Sequence, residues 1–162
     1  MQGLETLDPV TITPEDANRL WERVRQQEIC FDDFSRDNPD LFAQRLVSPS
    51  TVGFIYKDAL LITVENIVPR LNGYMHFWMW DTRHSESELA VVGRRIARDV
   101  IDMFELHRIT AMPPAFNKRA TRMATRVGFR YEGLMKGAFL YKSHYHDLEI
   151  RGLQAEDLRR LM

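Results

Sequence analysis

The stretch from Asn117 to Gly133 constrains this chain more than any other, because it specifies a helix, its end and the strand that follows. Ala120, Met123, Ala124 and Val127 recur at i, i+3, i+4 and i+7, the spacing that lets a short helix bury one face. Lys118, Arg122 and Arg126 recur at i, i+4 and i+8, so three cations share another face. Gly128 supplies the stop, and a strand begins at Phe129.

Outside that stretch the order of elements reads as a mixed α/β (α+β) fold. Thr13-Pro-Glu-Asp16 offers an N-cap, a proline at the first helical position and an acid at the third, opening a helix that buries Ala17, Leu20, Trp21 and Val24. Asn38-Pro39 opens a second helix through Leu41, Phe42 and Leu46. Three β-rich runs follow, Val52 to Lys57, Leu60 to Val68 and Tyr74 to Asp81, with Asp58-Ala59 and Pro69 to Gly73 as turns, predicting an antiparallel meander. Ser85 to Glu88 reads as a capping box before a long helix with the stripe Leu89, Val92, Ile96, Val100, Met103 and Phe104. A strand from His107 to Met112 ends at Pro113-Pro114; after the basic helix come strands near Phe129 to Met135 and Tyr145 to Gly152, and a terminal helix from Ala155 to Met162. With 162 residues, 44% of them hydrophobic, and no repeat or linker, the chain reads as one domain, 1–162.

The net charge of −1 argues against general nucleic-acid affinity, which needs many neutralised phosphates. The charge is uneven, however: between Arg94 and Lys142 stand eleven Lys/Arg against four Asp/Glu, an arrangement suited to a local polyanionic ligand or to a solvated basic face. The N-terminus carries neither a basic segment nor the apolar run of a signal peptide, and no stretch approaches the ~20 apolar residues of a membrane span. One cysteine, Cys30, excludes an internal disulfide and reads as a packing residue. A soluble, cytoplasmic protein is expected.

The segment from Phe104 to Asp147 resembles the C-terminal half of the GNAT acyltransferases, above all the branch that acetylates the N-termini of ribosomal proteins. That branch reads roughly N-x-x-S-x-R-x-x-x-K-x-G-F-x-x-E-G; Asn117, Arg122, Gly128, Phe129, Glu132 and Gly133 match, Ala120 replaces Ser and Arg126 replaces Lys. The family's later Asp is Asp147. The resemblance implies a GNAT fold: a central mixed, mostly antiparallel sheet of about six to seven strands flanked by helices, splayed between the fourth and fifth strands. It also implies acetyl-CoA as co-substrate, with the pantetheine arm on the fourth strand, here His76 to Asp81, and the pyrophosphate at the start of the next helix. Trp80, Arg83, Ser85, Arg94, Asn117, Arg122 and Arg126 are the cofactor-binding residues it points to.

The chain departs from the family at two places. The phosphate loop, usually Q/R-x-x-G-x-G/A, has Glu86 and Glu88 at its small positions when counted from Arg83; alternatively the helix starts later and Gly93 is the remnant glycine. The Glu and Tyr that transfer protons in some members fall on Met112 and Ala124. The remaining proton carriers are His76, Glu65 and the cluster Tyr141, His144, Tyr145 and His146. His76 has the most suitable chemistry for a base and Tyr141 is the candidate acid, although each also fits a packing role. His144 and His146 have the spacing of metal ligands without an evident third, so no metal is expected. Tyr74, Trp78 and Trp80 read as core residues opposite Met75, Phe77 and Met79, with Trp80 the one nearest the cofactor.

The resemblance implies an N-acetyltransferase that moves an acetyl group from acetyl-CoA to a primary amine of a protein or a small molecule. The competing reading is a binding protein that keeps the fold without transfer and acts on a partner protein through its acidic N-terminal half.

Overall fold

The computed structural model describes residues 7–161. Helix α1 (Pro14–Val24) opens on a complete capping box, in which the Thr13 hydroxyl accepts from the Asp16 amide and the Asp16 carboxylate accepts from the Thr13 amide, and it buries the four residues its spacing predicts. Helix α2 (Pro39–Leu46) starts at Asn38, whose side chain accepts from the Leu41 amide. Strands β1 (Val52–Tyr56), β2 (Leu60–Val68) and β3 (Asn72–Met79) form the expected antiparallel meander, with β3 starting two residues before the expected Tyr74. Helix α3 (Glu86–Phe104), strand β4 (Arg108–Ala111), helix α4 (Lys118–Val127), strands β5 (Arg130–Tyr141) and β6 (His144–Gln154), and helix α5 (Ala155–Leu161) complete the order; Met162, expected to end α5, lies outside the described residues.

The six strands lie in the order β1-β2-β3-β4-β6-β5, with β3 parallel to β4 and every other pair antiparallel. An isolated bridge from Val10 to Gly53 adds a short pairing at the β1 edge. Period-two alternation sorts β2 and β3 onto two cores. Leu60, Ile62, Val64 and Met75 join α3, α4 and α5, whereas Leu61 and Trp78 join α1, α2 and the aromatic trio Trp21, Phe31 and Phe42. On α3 the buried stripe includes Ile101, while the expected Met103 is exposed. Among the described residues no helix is long and apolar enough to cross a membrane.

The β5–β6 hairpin is longer than the sequence suggests, because its outer half is held by distant residues. The Asp33 carboxylate accepts from the amides of Lys142 (2.9 Å) and Ser143 (2.7 Å), both at positive φ in the turn, while the Asp33 amide donates to Leu140 O. The Asp147 carboxylate likewise accepts from the Gly137 amide, at φ 58°, where β5 bulges.

Candidate functional site

The sheet opens between β3 and β4. The two strands share the single pair Tyr74/Thr110; at that closed end the Arg108 amide donates to Leu71 O and the Thr110 hydroxyl to the Asn72 side chain. Beyond it β3 runs on to Met79, whereas β4 ends at Ala111. Pro113 and Pro114 have no amide hydrogen to offer β3, and the chain follows β6 instead: the Glu149 amide donates to Pro113 O, the Ala115 amide donates to Asp147 O, and Pro114 bridges Leu148. This leaves a cleft with β3 on one side and the start of α4 on the other. Arg119 crosses it, with its guanidinium 3.6 Å from Met79 Sδ.

The basic helix has the expected apolar face, joined by the buried Thr121. Asn117 caps it, its side-chain oxygen accepting from the Ala120 amide at 3.1 Å. Arg122 and Arg126 reach across to the first residue of α3: Arg122 donates to Glu86 Oε1 at 3.0 Å, and Arg126 Nε lies 3.2 Å from Glu86 Oε2. The Arg122 hydrogen bond is the largest influence holding the Glu86 carboxyl below the usual range, with the charges of Arg126 and Arg119 adding to it.

Ser85 caps α3 by accepting from the Glu88 amide, but the expected capping box is only half formed. The Glu88 carboxylate turns away to accept from Tyr56 Oη (2.7 Å) and Lys57 Nζ (3.0 Å), with His84 Nδ1 at 3.3 Å, and these contacts lower its pKa to about 2. The alternative start near Gly93 is excluded, because α3 begins at Glu86. A Cβ at Gly93 would lie 2.8 Å from the Phe77 ring and 2.9 Å from Val127, so this glycine serves the contact of α3 with β3 and α4. Arg83 is drawn back onto Asp81 by a bidentate pair and extends into solvent. Arg94, half-buried on α3, has no hydrogen bond or ion pair among the described residues. Trp80 faces α1: its indole donates to Asp58 O at 2.6 Å, and Arg23 lies 5.5 Å from the ring centroid.

His76 lies on the α1/α2 face of β3, opposite Thr63, with a side chain one-third exposed and stacked at 5.9 Å on Trp78. Its Nε2 is 3.9 Å from Glu65 Oε2. Burial lowers the imidazole pKa, the Glu65 charge opposes this, and Arg45 adds to it. Glu65, one of the expected proton carriers, is 4% exposed and fully engaged, taking Arg45 at 2.9 Å and the Thr63 hydroxyl at 2.7 Å. That engagement leaves it suited to orienting His76 rather than to exchanging protons with a substrate.

Tyr141 stacks on Phe116 at 5.2 Å and 29°, in a half-buried group with Phe139 and His146, while Arg36 covers its ring. Phe116 immediately precedes Asn117, which sets this group beside the start of α4. His144 is exposed and turned onto Lys142 O, apart from His146, and no group of three or more potential metal ligands exists among the described residues. Two matched motif residues have structural partners. Glu132 pairs with Arg108 at 2.8 Å across Gly152, where any side chain would strike both, and Asp147 braces the β5 bulge. Sequence reasoning missed Arg119 and Phe116; the first lies off the i, i+4, i+8 stripe, and the second lies outside both periodic segments.

No protein-family model matches the chain, and no curated protein is detectably similar to it in sequence. Solved structures match it over nearly its whole length. A spermidine N-acetyltransferase from Vibrio cholerae in complex with CoA and spermine is 13% identical, covering 96% of this chain and 99% of that one at a TM-score of 0.74. The ribosomal-protein-S5-alanine acetyltransferase from Vibrio fischeri is 16% identical, covering 96% and 97% at 0.72. The microcin C7 self-immunity acetyltransferase MccE, in complex with acetyl-CoA and AMP, is 15% identical, covering 93% of each chain at 0.71. The order of elements, the open sheet and these matches together establish that the chain has the GNAT acetyltransferase fold.

Proposed function

We propose that this chain is an acetyl-CoA-dependent N-acetyltransferase acting on a primary amine of a protein or a small molecule. The observation that carries the reading is the cleft between β3 and β4, with Arg122 and Arg126 of α4 gathered at the N-terminus of α3 beside it. The unpaired edge of β3 is suited to the amide-bearing arm of the donor, and the helix N-terminus with its cations is suited to the phosphates. Solved neighbours with the same fold were captured with acetyl-CoA or CoA, which supports the choice of donor.

In this reading the amine and thioester meet in a ternary complex, where alignment alone supplies up to about 7–11 kcal/mol. His76 accepts the ammonium proton, the freed nitrogen attacks the thioester carbonyl, and the tetrahedral intermediate loses the second nitrogen proton to solvent as its collapse breaks the C–S bond and forms the amide. Tyr141 is the candidate donor of a proton to the departing thiolate. A lowered imidazole pKa keeps His76 unprotonated near neutrality, as a base must be. Arg83, Ser85, Arg94, Asn117 and Trp80 complete the residues assigned to the donor, although the Trp80 indole is engaged by Asp58 O.

Met112 and Ala124, at the positions where some members carry their base and their acid, favour a second reading, a binding protein that retains the fold. Calorimetry with acetyl-CoA, followed by thioester hydrolysis and an amine-acceptor screen on the same sample, separates the two. Binding with transfer supports the enzyme, binding without transfer supports the second reading, and no binding at millimolar donor defeats the proposal.

A further inference from the structure

Two arginines of α4 spend their guanidinium groups on one carboxylate of α3. Glu86 is the first residue of that helix, where backbone amides and the helix dipole favour an anion. It is not needed as the cap, since the Ser85 hydroxyl already serves the Glu88 amide. Nor is it needed to moor the turn, because Glu88 ties it to Tyr56 and Lys57 through separate contacts. What Glu86 does is fill, with the chain's own negative charge, the space bounded by Arg122 and Arg126. Both arginine side chains remain about half exposed, at 57% and 50%, so the pairs can exchange with a ligand without unpacking the core.

We propose that Glu86 is an internal competitor for this anion subsite, so that phosphates of an incoming ligand bind by displacing its carboxylate from Arg122 and Arg126. The released side chain swings out from the first helical turn while Ser85 and Glu88 keep α3 in place. A multiply charged diphosphate competes far better than a single phosphate, since it can engage both guanidiniums at once. Glu86 thereby sets the threshold of donor binding and discriminates by phosphate content. The inference rests on the acetyl-CoA reading only for the identity of the anion.

The test is calorimetric titration of wild type, Glu86→Gln and Glu86→Asp with inorganic pyrophosphate and, separately, with CoA, after melting curves show that each variant is folded. Glu86→Gln should bind pyrophosphate and CoA about three- to tenfold more tightly, the scale of two half-exposed ion pairs removed. Glu86→Asp, with shorter reach to Arg126, should gain less. Adding Arg122→Ala to Glu86→Gln should abolish the gain. If both proteins bind CoA equally, the donor reading stands and the competitor role fails. If neither binds CoA while Glu86→Gln gains affinity for pyrophosphate, the competitor role stands and the donor reading fails. Equal or weaker binding of both probes by Glu86→Gln overturns the proposal.

Discussion

At His76 opposing influences act on one imidazole: burial favours the neutral ring most strongly, the nearby Glu65 carboxylate favours the charged ring, and Arg45 sides with burial. The folded pKa therefore lies below the ordinary ~6.5. Replacing His76 with Ala should lower turnover by about 10²-fold with CoA affinity nearly intact, and wild-type turnover should fall as pH drops through the lowered pKa; a variant with wild-type rates across the profile assigns the base elsewhere. The same shift bears on stability, because the unfolded imidazole takes up its proton first and stability declines as pH falls below ~6.5. Asn117 caps α4, and substitution can separate that cap from the donor contact proposed for it. Asn117→Ala loses the cap on α4 and should cost about 0.5–2 kcal/mol of stability, read as a lower melting temperature, whereas Asn117→Ser keeps a capping oxygen. Donor affinity lost in both variants would mark a direct contact, and affinity restored in Ser would mark a cap alone. Cys30 belongs to packing: burial raises its thiol pKa to about 11, so the reactive thiolate is scarce near neutrality.

Among the elements, α3 shows how a glycine can mislead. In a helix interior Gly gives up roughly 1 kcal/mol relative to Ala, so Gly93→Ala would be expected to stabilise α3 taken alone. Here the added methyl meets the Phe77 ring and the stiff Val127 side chain, both under 3 Å away, and overpacking of this kind costs roughly 1–3 kcal/mol. Gly93→Ala should therefore be destabilising by about 1–2 kcal/mol in a urea melt; a more stable variant would show that α3 shifts freely on β3. The β5–β6 hairpin depends on contacts of another kind. Its two-residue turn needs left-handed backbone at Lys142 and Ser143, neither a glycine, and the Asp33 carboxylate offsets that cost by binding both amides. Hydrogen bonds from those amides, the one from Ser143 foremost, hold the Asp33 carboxyl below its usual range.

Across the whole molecule, depressed carboxylates dominate the response to acid. Asp16, Asp81 and Glu88 each have a pKa lowered to about 2, chiefly by hydrogen bonds from Thr13, Arg83 and Tyr56 respectively. Because these groups ionise more readily folded than unfolded, their contribution is complete above the unfolded values near 4 and is lost as pH falls toward 2. Urea midpoints should decline gently as pH falls below ~6.5, where the His76 contribution begins to be lost, and drop further between pH 4 and 2.5. Glu88→Gln should reduce that drop, since it removes the carboxylate joining α3 to the β1–β2 turn. A variant with the full acid loss would show that Glu88 does not contribute to it.

Much of this was legible in the sequence where the determining forces are local. Thr13, Asn38, Ser85 and Asn117 announce helix starts because a cap is made within three residues, and the apolar stripes of α1, α3 and α4 follow from the helical period. The run Lys136 to Tyr141 reads as no strand, because Gly137 and the bulge break its alternation; only pairing to β6, with Asp147 and Asp33 holding the irregular backbone, makes it one. The charges divide in the same way. Three cations on one helix face can be counted in the sequence, and so can Glu86 and Glu88 at the start of α3. That Glu88 turns to Tyr56 while Glu86 turns to Arg122 and Arg126 is decided by which elements the fold brings beside that turn. Capping and periodicity act over a few residues and are written in their order, whereas ion pairs and the opening between β3 and β4 act across distances that only the packed chain defines.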